Sequence, residues 1–160
     1  MLKTFKLSHA MWTGAALVGA LTLATQSVFA GECPASKIKP NAQPMVDYKP
    51  VGVTDVTLGS IDLGKQPAHI EGRELRFRKL TIEPGGIVPW HSHDDRPALI
   101  FVQQGEIVEY ASNCIDPIVH KAGDLRPEVF GTTHWWKNLG KETVILYVGD
   151  VRKDPADHNM

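Results

Sequence analysis

Three observations predict an all-β fold, a sandwich or barrel of antiparallel strands. About eight short runs rich in Val, Ile, Thr and aromatic residues recur between residues 51 and 148. Clusters of Gly, Pro, Asn and Asp separate them at short, regular spacing. No stretch outside the first 30 residues carries sustained helical periodicity.

Taken in order, the chain opens as an export signal over residues 1–30. Lys3 and Lys6 form a positive start, and Met11 to Ala24 is apolar and uncharged. Val28-Phe29-Ala30 places small residues where a signal peptidase needs them, so cleavage is expected after Ala30. The apolar run of about 14 residues is shorter than the roughly 20 needed to cross a bilayer. An uncleaved anchor is the alternative. Residues 31–160 suffice for one domain with one core, and their formal charge is −3 once Lys3 and Lys6 are removed. No basic stripe predicts nucleic-acid binding, and no second long apolar run predicts membrane insertion after cleavage. In an exported chain, Cys33 and Cys114 predict one disulfide, two unpaired buried thiols being the alternative.

Residues 31–50 carry Pro34, Pro40, Pro44 and Pro50 and read as an irregular arm laid over the domain. Val51 to Leu58 alternates as a strand, followed by loops over Gly59–Gly72 around a short strand at Ile61–Leu63. Leu75 and Phe77 alternate with polar residues. The apolar phase then slips to Leu80 and Ile82, which predicts a bulge. Pro84-Gly85-Gly86 predicts a turn. Ile87–His93 and Ala98–Gln103 are strands joined by Asp94-Asp95-Arg96-Pro97. Gln104-Gly105 predicts a hairpin turn into Glu106–Tyr110. Ala111–Pro117 is a loop, Ile118–His120 a short strand, and Lys121–Asp124 a turn. Leu125–Trp136 runs through Pro127 and Gly131, and Asn138–Lys141 turns again. Thr143–Val148 is a buried strand. The barrel is expected over 51–150 and a polar tail over 151–160.

The chemistry concentrates at His91 and His93. Two residues apart in an extended run, both imidazoles face the same way and can share one ion. His134, in Gly131-Thr-Thr-His134-Trp-Trp-Lys-Asn138, is the downstream match. Histidine is the commonest ligand for first-row transition metals, and three protein ligands with an open position suit a catalytic site. Gly85, His91-Ser-His93 and Gly105 have the spacing of the first motif of the cupins, and Gly123, Gly131, His134 and Asn138 that of the second. The chain thus resembles the cupin superfamily. The resemblance implies a single-domain jelly-roll β-barrel, or double-stranded β-helix, with His91, His93 and His134 on a divalent metal. Two positions depart from the pattern. Val129 stands for a turn proline, and Ala98 stands where the family's metal-binding glutamate belongs. Three-histidine cupins resembling thiol and β-diketone dioxygenases use ferrous iron, so the resemblance favours Fe(II), with Zn, Mn, Ni or Cu as alternatives.

Arg96, Ala98 and Trp136 are candidate pocket residues. Arg96 pairs with Asp94 or Asp95, or reaches an anionic substrate group. Trp136 shares parity with His134, whereas Trp90 should face away from the metal. Asp94 and Asp95 read as a solvated turn. Glu106, Glu109 and Glu128 have no place on this reading. His69, His120 and His158 read as surface or locally satisfied histidines. Three functions follow: an exported metalloenzyme of the dioxygenase type acting on a small molecule, a non-enzymatic metal- or ligand-binding module, or a metal-free degenerate cupin. A periplasmic or secreted location and a possible homodimer complete the expectation.

Overall fold

One long strand builds both halves of the molecule. The computed structural model describes residues 32–46 and 49–153. The expected signal segment, its cleavage point at Ala30, and His158 with the last residues of the expected tail lie outside the described residues. Eight antiparallel strands follow a short 3-10 turn at Ala35–Lys37: β1 (Val51–Asp62), β2 (Glu74–Ser92), β3 (Ala98–Gln104), β4 (Glu106–Ala111), β5 (Ile118–Lys121), β6 (Leu125–Glu128), β7 (Thr133–Lys137) and β8 (Val144–Arg152). The order is β5-β4-β7-β2-β8-β3-β6, with β1 also on β2. The N-terminal half of β2 pairs with β1 and β8, and its C-terminal half pairs with β7. The sheet therefore rolls at residues 83–86. Its two inner faces meet in a core of Leu80, Ile82, Val88, Ile100, Ile107, Trp136 and Leu146. The jelly-roll expectation holds.

Several local expectations are corrected. Strand β1 is continuous from Val51 to Asp62, so no separate strand starts at Ile61. Pro84-Gly85-Gly86 bends β2 without ending it. Gly85, at φ 79°, takes the left-handed conformation the bend needs. Strand β2 itself has no bulge before Leu80, because Glu74–Ile82 pairs with β8 without a break, and the register shift opposite Phe77 and Arg78 falls on β1, between Thr57 and Gly59. Arg76, Arg78, Leu80 and Ile82 all face inward, and Leu75 and Phe77 face out. Two inward arginines hid the period. The bulge occurs later, at Pro89-Trp90, where Val88 opposes Trp136 and His91 opposes His134. That one extra residue switches the inward parity from Val88 to His91.

Gln104-Gly105 joins no hairpin. Strand β3 pairs with β6 and β8 while β4 pairs with β5 and β7, so the chain crosses between the two halves at Gly105. The last strand runs to Arg152, past the expected barrel limit at 150, and buries Asp150. The arm lies on the Ala111–Pro117 loop. Lys39 and Ala42 donate to the carbonyls of Asn113 and Ser112 at 3.0 and 2.7 Å. Cys33 and Cys114 form the disulfide across a sequence separation of 81 residues. Closing so long a loop is worth about 4–5 kcal/mol in the chain-entropy account.

Candidate metal centre

His91 and His134 are cross-strand partners on β2 and β7, and His93 follows just past the end of β2. All three are buried. The Nε2 of His134 lies 3.0 Å from that of His93 and 3.1 Å from that of His91. The rings stand 61–88° apart, edge to face. Each opposite nitrogen meets an acceptor. His91 Nδ1 is 2.8 Å from the Pro89 carbonyl, His93 Nδ1 is 2.8 Å from the Arg96 carbonyl, and His134 Nδ1 is 2.7 Å from Glu109 Oε1. Carbonyls and carboxylates only accept, so all three Nδ1 atoms carry the proton. All three Nε2 atoms are then without a proton of their own and face one another, and the Trp136 indole N–H stands 3.3 Å from that of His134.

Facing lone pairs repel, and a cation at their focus removes the repulsion. Nitrogens about 2.1 Å from one ion and at right angles to each other stand about 3.0 Å apart. The residues present therefore fit a divalent metal. Burial first, and then the repulsion that protonating His91 or His93 beside His134 would bring, hold the His91 pKa well below its ordinary value and push His93 down to about 4. His91 and His93 are neutral at pH 7 and ready to coordinate.

Behind His134 lies a buried polar network that sequence reasoning did not place. Glu109 on β4 accepts from His134 and, through Oε2, from His120 Nε2 at 2.8 Å. Burial alone would raise the Glu109 pKa. The hydrogen bonds from His120 and His134, with Arg126 beside them, reverse this and hold it well below the carboxylate range. Arg126 Nε bridges Glu109 and Glu128 at 3.3 and 3.2 Å. Burial, reinforced by the Glu109 charge, pushes Glu128 up to about 7 against the pull of His134 and Arg126. His120 is fully buried, not at the surface. Glu128 stands directly across from Ala98. A carboxylate thus occupies the neighbouring strand position where the family's glutamate is missing, but it reaches the Nδ1 side of His134, at 3.4 Å, and not the Nε2 focus. The same three residues, Glu109, Glu128 and His134, form a second group with ligand atoms close enough to share a cation. The Arg126 guanidinium supplies positive charge there.

On the other side, a cavity of about 10 Å³ is lined by His91, His93, Trp136, Arg78 and aliphatic side chains, including Leu80 and Val88. It has room for about one water. Trp136 is both a core residue and a wall of this cavity, and its indole Nε1 lies 3.2 Å from His134 Nδ1. Ala98 is buried in the core. Arg96 is buried and does not pair with Asp94 or Asp95, contrary to that expectation. Its Nε lies 3.9 Å from Asp150 Oδ2. Asp95 pairs with Arg73, and Asp94 Oδ1 accepts from the Gly131 amide at 2.9 Å. His69 is exposed and is not part of the histidine group. The missed residues had a weak signal: inward parity on β4 and β6 once His134 is placed.

A cupin domain model matches residues 78–149. A germin-like protein 8-14 of Oryza sativa subsp. japonica is 28% identical over 91 residues, covering 54% of this chain and 43% of its own. The chain thus spans less than half of that relative. Among solved structures, a recombinant oxalate oxidase in complex with glycolate superposes with a TM-score of 0.50 at 21% identity, over 76% of this chain and 58% of the other. The TT1209 protein from Thermus thermophilus superposes with a TM-score of 0.51 at 15% identity, over 69% and 92%.

Proposed function

This chain belongs to the cupin superfamily, and from that premise we propose that it is an exported, metal-dependent oxygenase of small molecules. The observation that carries the reading is the convergence of three Nε2 lone pairs, each fixed by an acceptor on its own Nδ1. His91, His93 and His134 would hold the ion, with Fe(II) favoured. When bound, such an ion supplies Lewis acidity and a redox centre for dioxygen chemistry. The chain's own part is to orient and to exclude water. Pro89 and Arg96 carbonyls and Glu109 set the ring tautomers, Leu80, Val88 and Trp136 keep the approach apolar, and Glu109, Glu128, His120 and Arg126 place acid–base groups behind His134. These groups stand on the Nδ1 side of His134, so they act on the centre through that ring. The basic start, the apolar run of residues 11–24 and the Cys33–Cys114 disulfide support export to an oxidising compartment, periplasmic or extracellular.

A second reading, a non-enzymatic metal-binding module, is favoured by the cavity of about 10 Å³, which leaves no standing room for a substrate. Oxygen uptake decides between the two. Iron-loaded protein should consume oxygen with at least one member of a panel of small enolates, flavonols, thiols, oxalate and glycolate, and His93→Ala should not. Metal-loaded protein inert across the panel supports the binding module.

A further inference from the structure

The small cavity beside the histidines has one charged wall. Aliphatic side chains form most of it, with His91, His93 and Trp136. Among the described residues that line it, Arg78 is the one charged side chain, and none is a carboxylate. Glu109 and Glu128 lie on the Nδ1 edge of His134 and do not reach the cavity. The Arg78 side chain is 4% exposed. Its Nη1 is held by Asp55, while its Nε makes no hydrogen bond and lies 3.7 Å from Asp150 Oδ2. A guanidinium carries five N–H donors, and a buried donor without an acceptor is unfavourable. The charge is felt at the centre. After burial and His134, the positive charges of Arg96 and Arg78 further lower the pKa of His93.

We infer that this cavity is a site for a monatomic anion, a halide, held between Arg78 and the ion of the three histidines. The inference rests on the metal-bearing reading above. Three neutral imidazoles leave a divalent ion its whole charge, and Arg78 adds a further positive charge from the wall of the same cavity. Apolar side chains around the cavity screen these charges far less than water would, so they hold an anion more firmly than a neutral molecule of equal size. Size narrows the class. A volume of about 10 Å³ takes roughly one water, so a single-atom anion fits, and a carboxylate with two spread oxygens does not. The Trp136 indole N–H, 3.3 Å from His134 Nε2, adds a second donor on a residue that lines the cavity.

The test uses the full chain recovered from its native compartment and loaded with cobalt(II), whose visible spectrum reports its ligands, in halide-free buffer. Chloride should shift the spectrum saturably, and acetate should bind about tenfold more weakly or worse. Arg78→Met should lower chloride affinity about tenfold with cobalt content unchanged, while Arg78→Lys should stay within about threefold of wild type. Asp55→Asn removes the carboxylate that offsets Arg78 and should raise chloride affinity about threefold. Asp55 is 22% exposed, so this variant keeps the inference testable if Arg78→Met does not fold. Cobalt-loaded protein whose spectrum ignores chloride overturns the inference and leaves the metal-bearing reading standing. Acetate bound as tightly as chloride, or chloride affinity unchanged in both Arg78→Met and Asp55→Asn, also overturns it. Protein that takes up no cobalt overturns both.

Discussion

Glu109 Oε1 lies 2.7 Å from His134 Nδ1, on the ring edge opposite the nitrogen that faces His91 and His93. Glu109 is fully buried and its second oxygen is held by His120 at 2.8 Å. The carboxylate therefore cannot swing to become a ligand itself without breaking two hydrogen bonds. It fixes the proton on Nδ1 and so keeps the Nε2 lone pair on the metal side.

Glu109→Gln keeps the shape and removes the charge. An amide oxygen still accepts from His134, while its NH2 group faces His120 or Arg126 unfavourably. Metal affinity should fall about 10–100-fold, with the fold retained. Competition against a calibrated chelator measures this. Affinity within twofold of wild type would show that His134 is oriented by packing alone.

Stability of the metal-free protein should depend on pH through His91 and His93. Both have folded-state pKa values depressed from about 6.5, His93 to about 4. Between those limits the unfolded chain binds protons that the folded chain refuses, so the histidines' contribution to stability is complete above pH 6.5 and falls as pH drops toward 4. At about 1.4 kcal/mol per unit, His93 alone accounts for a loss of about 3 kcal/mol. Urea unfolding at pH 7 and 4.5 checks it. Glu128, raised to about 7, acts in the opposite sense over the same window, so the readout is the stability difference between wild type and His93→Leu: it should shrink by about 3 kcal/mol from pH 7 to 4.5, and a difference that does not change with pH would contradict the assignment.

Asp150 is the anion of the inward arginines. It accepts from Arg76 Nε at 2.9 Å and lies 3.7 and 3.9 Å from the Nε atoms of Arg78 and Arg96. Asp150→Ala leaves buried guanidinium charge without this partner and should destabilise the protein by about 3–5 kcal/mol. The denaturant midpoint reports the loss. A shift below about 1 kcal/mol would mean that other groups or water carry the compensation.

The all-β class, the disulfide partners and the three histidines were legible because each rests on local pattern: alternation, a pair of cysteines behind an export-like start, and spacing of histidines between glycines. What stayed hidden depends on neighbours far apart in sequence. Arg76 and Arg78 occupy core parity, so Leu75 and Phe77 carry the apolar alternation on the outer face, and the change of phase at Leu80 reads as a bulge. The burial of the two arginines makes sense only once Asp55 and Asp150 are known to lie on the flanking strands. Glu109, Glu128 and His120 were likewise unplaceable, since β4, β5 and β6 reach His134 only through the rolled sheet. The Gln104-Gly105 break looked like a hairpin because a tight turn and a crossing between sheets use the same residues.

Metal analysis of protein recovered from its native compartment, without reconstitution, tests the central claim most directly. One divalent ion per chain is expected in the wild type, and none in a folded His91→Ala/His93→Ala double variant. A metal-free wild type, or a double variant that retains its ion, would contradict the three-histidine centre.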